Sequence, residues 1–126
     1  MTYLEKWFDF NRRQKEIESL LEETVANQSE QRLTLKEFYL LYYLDLANEK
    51  SLRQIDLPDK LHLSPSAVSR MVARLEEKNC GLLSRRCCDQ DRRASFICLT
   101  DEGQTTLAYL QKAVEERLET SLDFIS

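Results

Sequence analysis

The sequence predicts a mainly α-helical domain with one small β-hairpin, an α+β fold in which helices dominate. Three observations carry this expectation. Glycine and proline are scarce, two of each in 126 residues, too few punctuating turns for a many-stranded sandwich or a disordered linker. Apolar residues recur at steps of three and four over most of the chain, the spacing of helices with one buried face. Between residues 83 and 99 the pattern changes to two short strand-like runs around a polar turn. The length fits a single domain over residues 1–126, and 42% apolar residues suffice for a core.

The first helix is expected over residues 1–26. Its apolar positions are Leu4, Trp7, Phe8, Ile17, Leu20, Leu21 and Val25, and the stripe breaks at Asn11-Arg12-Arg13-Gln14. The polar stretch from Ala26 to Gln31 reads as a loop. Thr34-Leu35-Lys36-Glu37 is a capping box: Thr34 accepts from the amide three residues on, and Glu37 reaches back to the amide of Thr34. The helix it starts runs through Leu40, Leu41, Leu44 and Ala47 to Asn48-Glu49-Lys50. Residues 51–61 are ambiguous. Ile55, Leu57 and Leu61 suit a small helix, but Pro58 has no amide hydrogen, so the helix begins near Asp56 or loses a bond. Ser64 then stands as N-cap with Pro65 at the first helical position. This helix is expected to reach Asn79, with Gly81 closing it. Leu83–Cys88 and Ala94–Leu99 form the hairpin, turning at residues 89–92. Thr100 caps the last helix, and Asp101 and Glu102 lie at its positive end. Leu107, Leu110, Val114, Leu118, Leu122 and Ile125 make its stripe.

Several function classes drop out. No run approaches the ~18–20 apolar residues of a membrane helix. Met1-Thr2-Tyr3-Leu4-Glu5-Lys6 lacks the basic-then-apolar order of a signal peptide. A cytoplasmic protein with reduced thiols is therefore expected. There is no G-x-S-x-G, phosphate loop, H-E-x-x-H or dinucleotide fingerprint. The single histidine, His62, supports neither a His-based triad nor a multi-His metal site. Neither an enzyme nor a bound cofactor or metal is expected.

The helix after Ser64 carries the candidate chemistry. Val68, Met71, Val72 and Leu75 fall at i, i+3, i+4 and i+7 and form one apolar face. Ser66, Ser69, Arg70, Ala73 and Arg74 occupy the other. Small residues leave that face slim, and two arginines project from it. A slim basic helix fits a DNA major groove, where arginine makes two parallel bonds to guanine O6 and N7. The hydroxyls of Ser64 and Ser66 and the free amides of the first turn suit phosphate oxygens. A plain solvated amphipathic helix would show the same pattern, so the flanks matter. A short helix, a turn and this helix follow helix-turn-helix order. The hairpin comes next, with Asp91-Arg92-Arg93 at its tip. An arginine there can enter a minor groove, where negative potential concentrates. Asp91 is placed to orient a neighbouring arginine.

Charge placement agrees. The net charge is −4 overall, yet His62 to Arg93 holds seven Lys or Arg against four acids. That quarter carries +3 and the rest −7, so positive charge is confined as a docking face requires.

Leu63-Ser64-Pro65-Ser66-Ala67-Val68-Ser69-Arg70-Met71-Val72-Ala73-Arg74-Leu75-Glu76, then Asp91-Arg92-Arg93, then Leu99-Thr100-Asp101-Glu102-Gly103, resemble the MarR family of bacterial winged-helix transcription regulators. The likeness covers residues 33–110 well and the first helix loosely. It implies a winged helix-turn-helix lobe over 33–99, flanked by dimerisation helices at 1–26 and 101–126. It implies a homodimer on an inverted-repeat operator in double-stranded DNA. Ser64, Ser66, Ser69, Arg70 and Arg74 correspond to the groove-reading helix and Arg92 to the wing arginine; Arg86 and Arg93 join the phosphate clamp. Pro58 replaces the family's usual small helix former, and Asn79-Cys80 looks like an insertion before the wing. The chain ends after one long C-terminal helix, so a reduced dimer interface is expected.

Two further groups invite a role. Trp7, Phe38, Tyr39, Tyr42 and Tyr43 can line a pocket for a small aromatic effector, as the family implies, although aromatics at helical spacing also serve a core. Cys80, Cys87, Cys88 and Cys98 cluster around the wing without a C-x-x-C pair or a familiar zinc spacing. They fit either a redox- or metal-responsive regulator or small apolar strand residues. The rival of a different class is a winged-helix protein-interaction module that meets an acidic partner.

Overall fold

The computed structural model describes residues 1–76, 79–88 and 91–123, with the side chains of Cys87, Cys88 and residues 91–94 left aside. The expectations at Glu77, Lys78, Asp89, Gln90 and Ile125 lie outside the described residues. The chain divides into two compact units, residues 1–35 with 110–126, and residues 36–109.

The first unit is built on α1 (Tyr3–Gln28). Thr2 caps it: its hydroxyl accepts from the Glu5 amide at 3.1 Å, and Glu5 accepts from the Thr2 amide at 3.1 Å. The helix continues through the break in its apolar stripe because ion pairs at helical spacing hold it. Arg12 pairs with Asp9 at 2.8 Å and with Glu16 at 2.9 Å, and Arg13 pairs with Asp9 at 3.1 Å. Asp9 and then Glu16 hold the Arg12 guanidinium above its ordinary pKa. The helix runs two residues past the expected end. Ser29 then stabilises the exit, donating to the Val25 carbonyl at 2.7 Å and accepting from the Leu33 amide at 2.8 Å. Leu21, Val25, Leu33, Leu35, Leu110 and Val114 are the buried apolar residues of this unit.

In the second unit, α2 (Leu35–Leu46) starts one residue after Thr34, and Leu40, Leu41 and Leu44 are fully buried. A 3-10 turn over Asn48–Lys50 follows, with Glu49 and Lys50 at φ of 57° and 53°. Lys50 secures it through a 2.8 Å pair with Asp45. Next comes β1 (Ser51–Arg53), a strand that the sequence pattern does not predict. A second 3-10 turn, Gln54–Asp56, leads into α3 (Leu57–Leu61). Pro58 sits at the start of α3, where its missing amide hydrogen costs nothing. His62 makes the left-handed turn at φ 55°, and α4 (Pro65–Leu75) follows. Ser64 accepts from the Ala67 amide at 3.1 Å, as the cap pattern predicts.

The helix α4 ends at Leu75, four residues short of the expected Asn79. Glu76 is extended, at ψ 162°. The Asn79 side-chain amide donates to the Ala73 carbonyl at 2.7 Å, and the Leu82 amide donates to the Leu75 carbonyl at 3.0 Å. The chain turns early because Leu82 and Leu83, both fully buried, have to enter the core.

The sheet is antiparallel in the order β1-β3-β2, with β2 at Leu83–Cys88 and β3 at Asp91–Leu99. Strand β3 starts three residues earlier than expected, so Asp91, Arg92 and Arg93 are strand positions. Ile97 pairs with Leu52 on one side and Arg85 on the other, and the register is irregular between Cys87 and Cys88. The last helix, α5 (Asp101–Ser121), begins where Thr100 accepts from the Gly103 amide at 2.9 Å. The same hydroxyl donates to the Gly81 carbonyl at 2.8 Å. Gly103 is fixed by space: a Cβ there would meet the Leu82 carbonyl oxygen at 2.3 Å and Leu99 Cδ1 at 2.7 Å.

Candidate nucleic-acid interface

Helix α4 is amphipathic in the predicted sense. Val68, Val72 and Leu75 are buried and Met71 is half-buried, while Ser66, Ser69, Arg70 and Ala73 are exposed. Ser64, Pro65 and Ser66 leave the N-terminal turn open, and the two serine hydroxyls lie 3.2 Å apart. The result is a narrow polar ridge with one long cation, Arg70, standing on it. A ridge of this width and charge can lie against base edges while its first-turn groups meet phosphate oxygens.

Arg74 differs from the other predicted ridge residues. It is half-buried rather than projecting freely, and its Nε forms an ion pair with Glu37 Oε2 on α2 at 3.4 Å. Its Nη1 lies 3.5 Å from Cys80 Sγ. Glu37 is almost fully buried, so this guanidinium is drawn to the protein side of the helix.

On the hairpin the two adjacent arginines of β2 behave differently. Arg86 is exposed and pairs loosely with the exposed Glu49 at 3.6 Å, a contact that solvent screens strongly. Arg85 is exposed as well, but it is engaged by Glu76, Gln54 and Ser95. The backbone of β3 carries Arg92 and Arg93, whose side chains lie outside the description.

The aromatic candidates separate by burial and by unit. Phe38 is buried in the core, Tyr39 and Tyr43 are half-buried, and Tyr42 is exposed. Lys36 Nζ lies 5.9 Å from the Tyr39 ring centre and Lys60 Nζ lies 5.7 Å from that of Tyr43. Trp7 belongs to the first unit, exposed and 6.4 Å from Phe10 between ring centres. A groove of about 400 Å³ on the first unit is lined by Arg12, Arg13, Glu16, Ile17, Leu20 and Ser121, and by none of these aromatics.

Cys80 and Cys98 are free thiols, both half-buried. Cys98 Sγ lies 3.5 Å from Ser51 Oγ across the β1–β3 pair. Among the described residues no three His, Cys, Asp or Glu side chains converge as a metal site. No described helix is long and apolar enough to cross a membrane.

Comparison with known proteins agrees with this architecture. A family model described as the MarR family matches residues 33–95. An uncharacterized HTH-type transcriptional regulator, YdgJ of Bacillus subtilis (strain 168), is 32% identical over 104 residues, 82% of this chain and 58% of that protein. The HTH-type transcriptional repressor MdtR of the same organism is 33% identical over 81 residues, 64% of this chain and 50% of that protein. The chain thus spans little more than half the length of these relatives. Among solved structures, the MarR family regulator Sco3205 from Streptomyces coelicolor, crystallised with DNA, superposes with a TM-score of 0.84 at 24% identity. That match covers 97% of this chain and 76% of Sco3205. AbsC, a MarR family regulator from the same organism, gives 0.85 at 23% identity over 100% and 83%. These two likenesses speak to the fold. The family model spans half of the sequence: the chain belongs to the MarR family of transcription regulators.

Proposed function

We propose that this chain is a sequence-specific DNA-binding regulator that acts as a homodimeric repressor on an inverted-repeat operator. The observation that carries this reading is the exposed ridge of α4. Ser64, Ser66, Ser69 and Arg70 face outward from a helix whose other face is locked into the core. In this scheme Arg70 reads a base edge, the serines and the first-turn amides meet phosphates, Arg92 anchors in the minor groove, and Arg86 and Arg93 clamp the backbone. Arg74 contributes through its charge and through holding the helix, since its guanidinium is shared with Glu37. The exposed Tyr3, Leu4, Trp7 and Phe8 of α1 give each protomer an apolar surface to bury against its partner. Two recognition helices would then lie about one DNA turn apart, roughly 34 Å. The name of MdtR, a repressor, and the DNA complex of Sco3205 support the direction of regulation and the ligand class. A cytoplasmic location is part of the same reading.

An aromatic effector that favours a different separation of the two recognition helices would release DNA by population shift. The half-buried Tyr39 and Tyr43 with their lysine neighbours are its binding surface in this reading. Thiol control is a variant of the same function, favoured by the 3.5 Å approach of Arg74 to Cys80. Selection of bound duplexes from a random pool tests the proposal. A palindromic motif with half-sites one turn apart is the expected result. Binding without base preference, or binding only to acidic protein, overturns it.

A further inference from the structure

Arg85 is a basic residue of the hairpin with several side-chain partners from this chain. It lies in the middle of β2, opposite Ile97 of β3. Its Nε and Nη2 donate to Glu76 Oε1 at 3.0 and 2.6 Å. Its Nη1 donates to Gln54 Oε1 at 2.9 Å and approaches Ser95 Oγ at 3.4 Å. Three separate elements therefore meet on one planar group. Glu76 is the residue just after the end of α4, Gln54 belongs to the turn that leads into α3, and Ser95 belongs to β3. The backbone joins in, since Glu76 and Leu83 form an isolated parallel bridge.

We propose that Arg85 is a positioning residue that sets the angle between α4 and the β2–β3 hairpin, and is not itself a DNA contact. The inference rests on the DNA-binding reading for its functional consequence and on the geometry alone for its structural one. Its charge is compensated by Glu76 at salt-bridge distance, so it has little to offer a phosphate. Its neighbour Arg86 is more exposed and has a looser partner, Glu49 at 3.6 Å. Arginine is required because its fork donates in three directions at fixed angles, whereas a lysine ammonium is a point charge on a flexible stem. A ridge and a wing that bind one duplex need a fixed mutual orientation, and such sites depend on supporting groups whose own conformations are locked.

Amide residual dipolar couplings of the free protein test the structural half, using residues of α4 and of the described hairpin strands in wild type, Arg85→Met and Glu76→Gln. The hairpin is expected to reorient against α4 in both variants, and Arg85→Lys is expected not to restore it. Should Arg85→Met fail to fold, Gln54→Ala removes one arm of the clamp and is expected to give a smaller rotation of the same sense. Binding to a selected duplex tests the functional half. Affinity of the folded variants should fall about tenfold, the scale of one lost base-edge contact, with the salt dependence of binding unchanged. Unaltered couplings in a folded Arg85→Met protein overturn the proposal, as does a salt slope reduced by about one, the mark of a lost phosphate contact. If wild type binds no selected duplex while the hairpin still reorients, the DNA-binding function falls and the clamp stands.

Discussion

Arg74 and Glu37 meet across 3.4 Å, joining the last turn of α4 to the first turn of α2. The carboxylate is nearly fully enclosed, while the guanidinium keeps more than a third of its surface in water. Removing the cation takes a counter-charge from a buried acid, which costs more than losing a surface pair. Solvent around Arg74 moderates that cost. Arg74→Ala is therefore expected to destabilise the protein by about 1–3 kcal/mol, and Glu37→Gln by less, because the amide leaves no buried charge. Urea denaturation of the two variants checks the order; an unchanged midpoint for Arg74→Ala would remove the anchoring role.

Gly103→Ala is expected to destabilise the protein although it stands in a helix. Alanine is better than glycine there by about 0.5–1 kcal/mol. The new Cβ would press on the Leu82 carbonyl at 2.3 Å, and a backbone atom at the root of β2 cannot move aside cheaply. Overpacking of this kind costs about 1–3 kcal/mol. A lower thermal midpoint is the expected measurement, and a raised one would mean that the seam between α5 and Leu82 is loose.

Arg70→Ala is expected to weaken operator binding by ~1–3 kcal/mol and to relax preference at one position in each half-site. Arg92→Ala is expected to weaken all sequences more evenly and to lower the salt slope. Titrations of the selected operator and of single-base variants at two salt concentrations distinguish the two. Equal, sequence-independent losses in both variants would take base reading away from Arg70.

The proposed dimerisation can be tested through Trp7, the one tryptophan of the chain. It is 58% exposed in the protomer, beside Leu4 and Phe8. Light scattering is expected to give twice the protomer mass. Leu4→Arg with Phe8→Arg is expected to yield monomers and a red-shifted Trp7 emission, since each buried Leu or Phe contributes about 1.5–3 kcal/mol. A dimer of unchanged stability in this variant would place the interface elsewhere.

Features fixed by neighbours in sequence were the legible ones. The Ser64 cap, Pro65 at the helix start and the Val68, Val72, Leu75 face are local, and each is found where the pattern puts it. The Thr100 cap and the β2 boundaries are local in the same way. Elements that exist only through distant partners stayed hidden. Strand β1 is three residues long and is defined by its pairing with Arg53 opposite Phe96 and Ser51 opposite Cys98. The end of α4 was misplaced because Glu77 and Lys78 continue a helical composition, while the demand to bury Leu82 and Leu83 comes from the core. At the candidate site the exposed ridge could be read from spacing. The engagement of Arg74 could not, because Glu37 lies 37 positions away in the chain and no periodicity links them. Arg85 was hidden for the same reason: Gln54 and Glu76 reach it from two other elements.

The hydroxyl of Thr100 uses its hydrogen on the Gly81 carbonyl and a lone pair on the Gly103 amide. Valine has the same outline and can supply neither. Serine can supply both, though it lacks the methyl group that restricts the rotamer. Of these three side chains, threonine and serine can keep both bonds. The joint between hairpin and final helix thus depends on one hydroxyl, whatever side chains the exposed face of α4 carries.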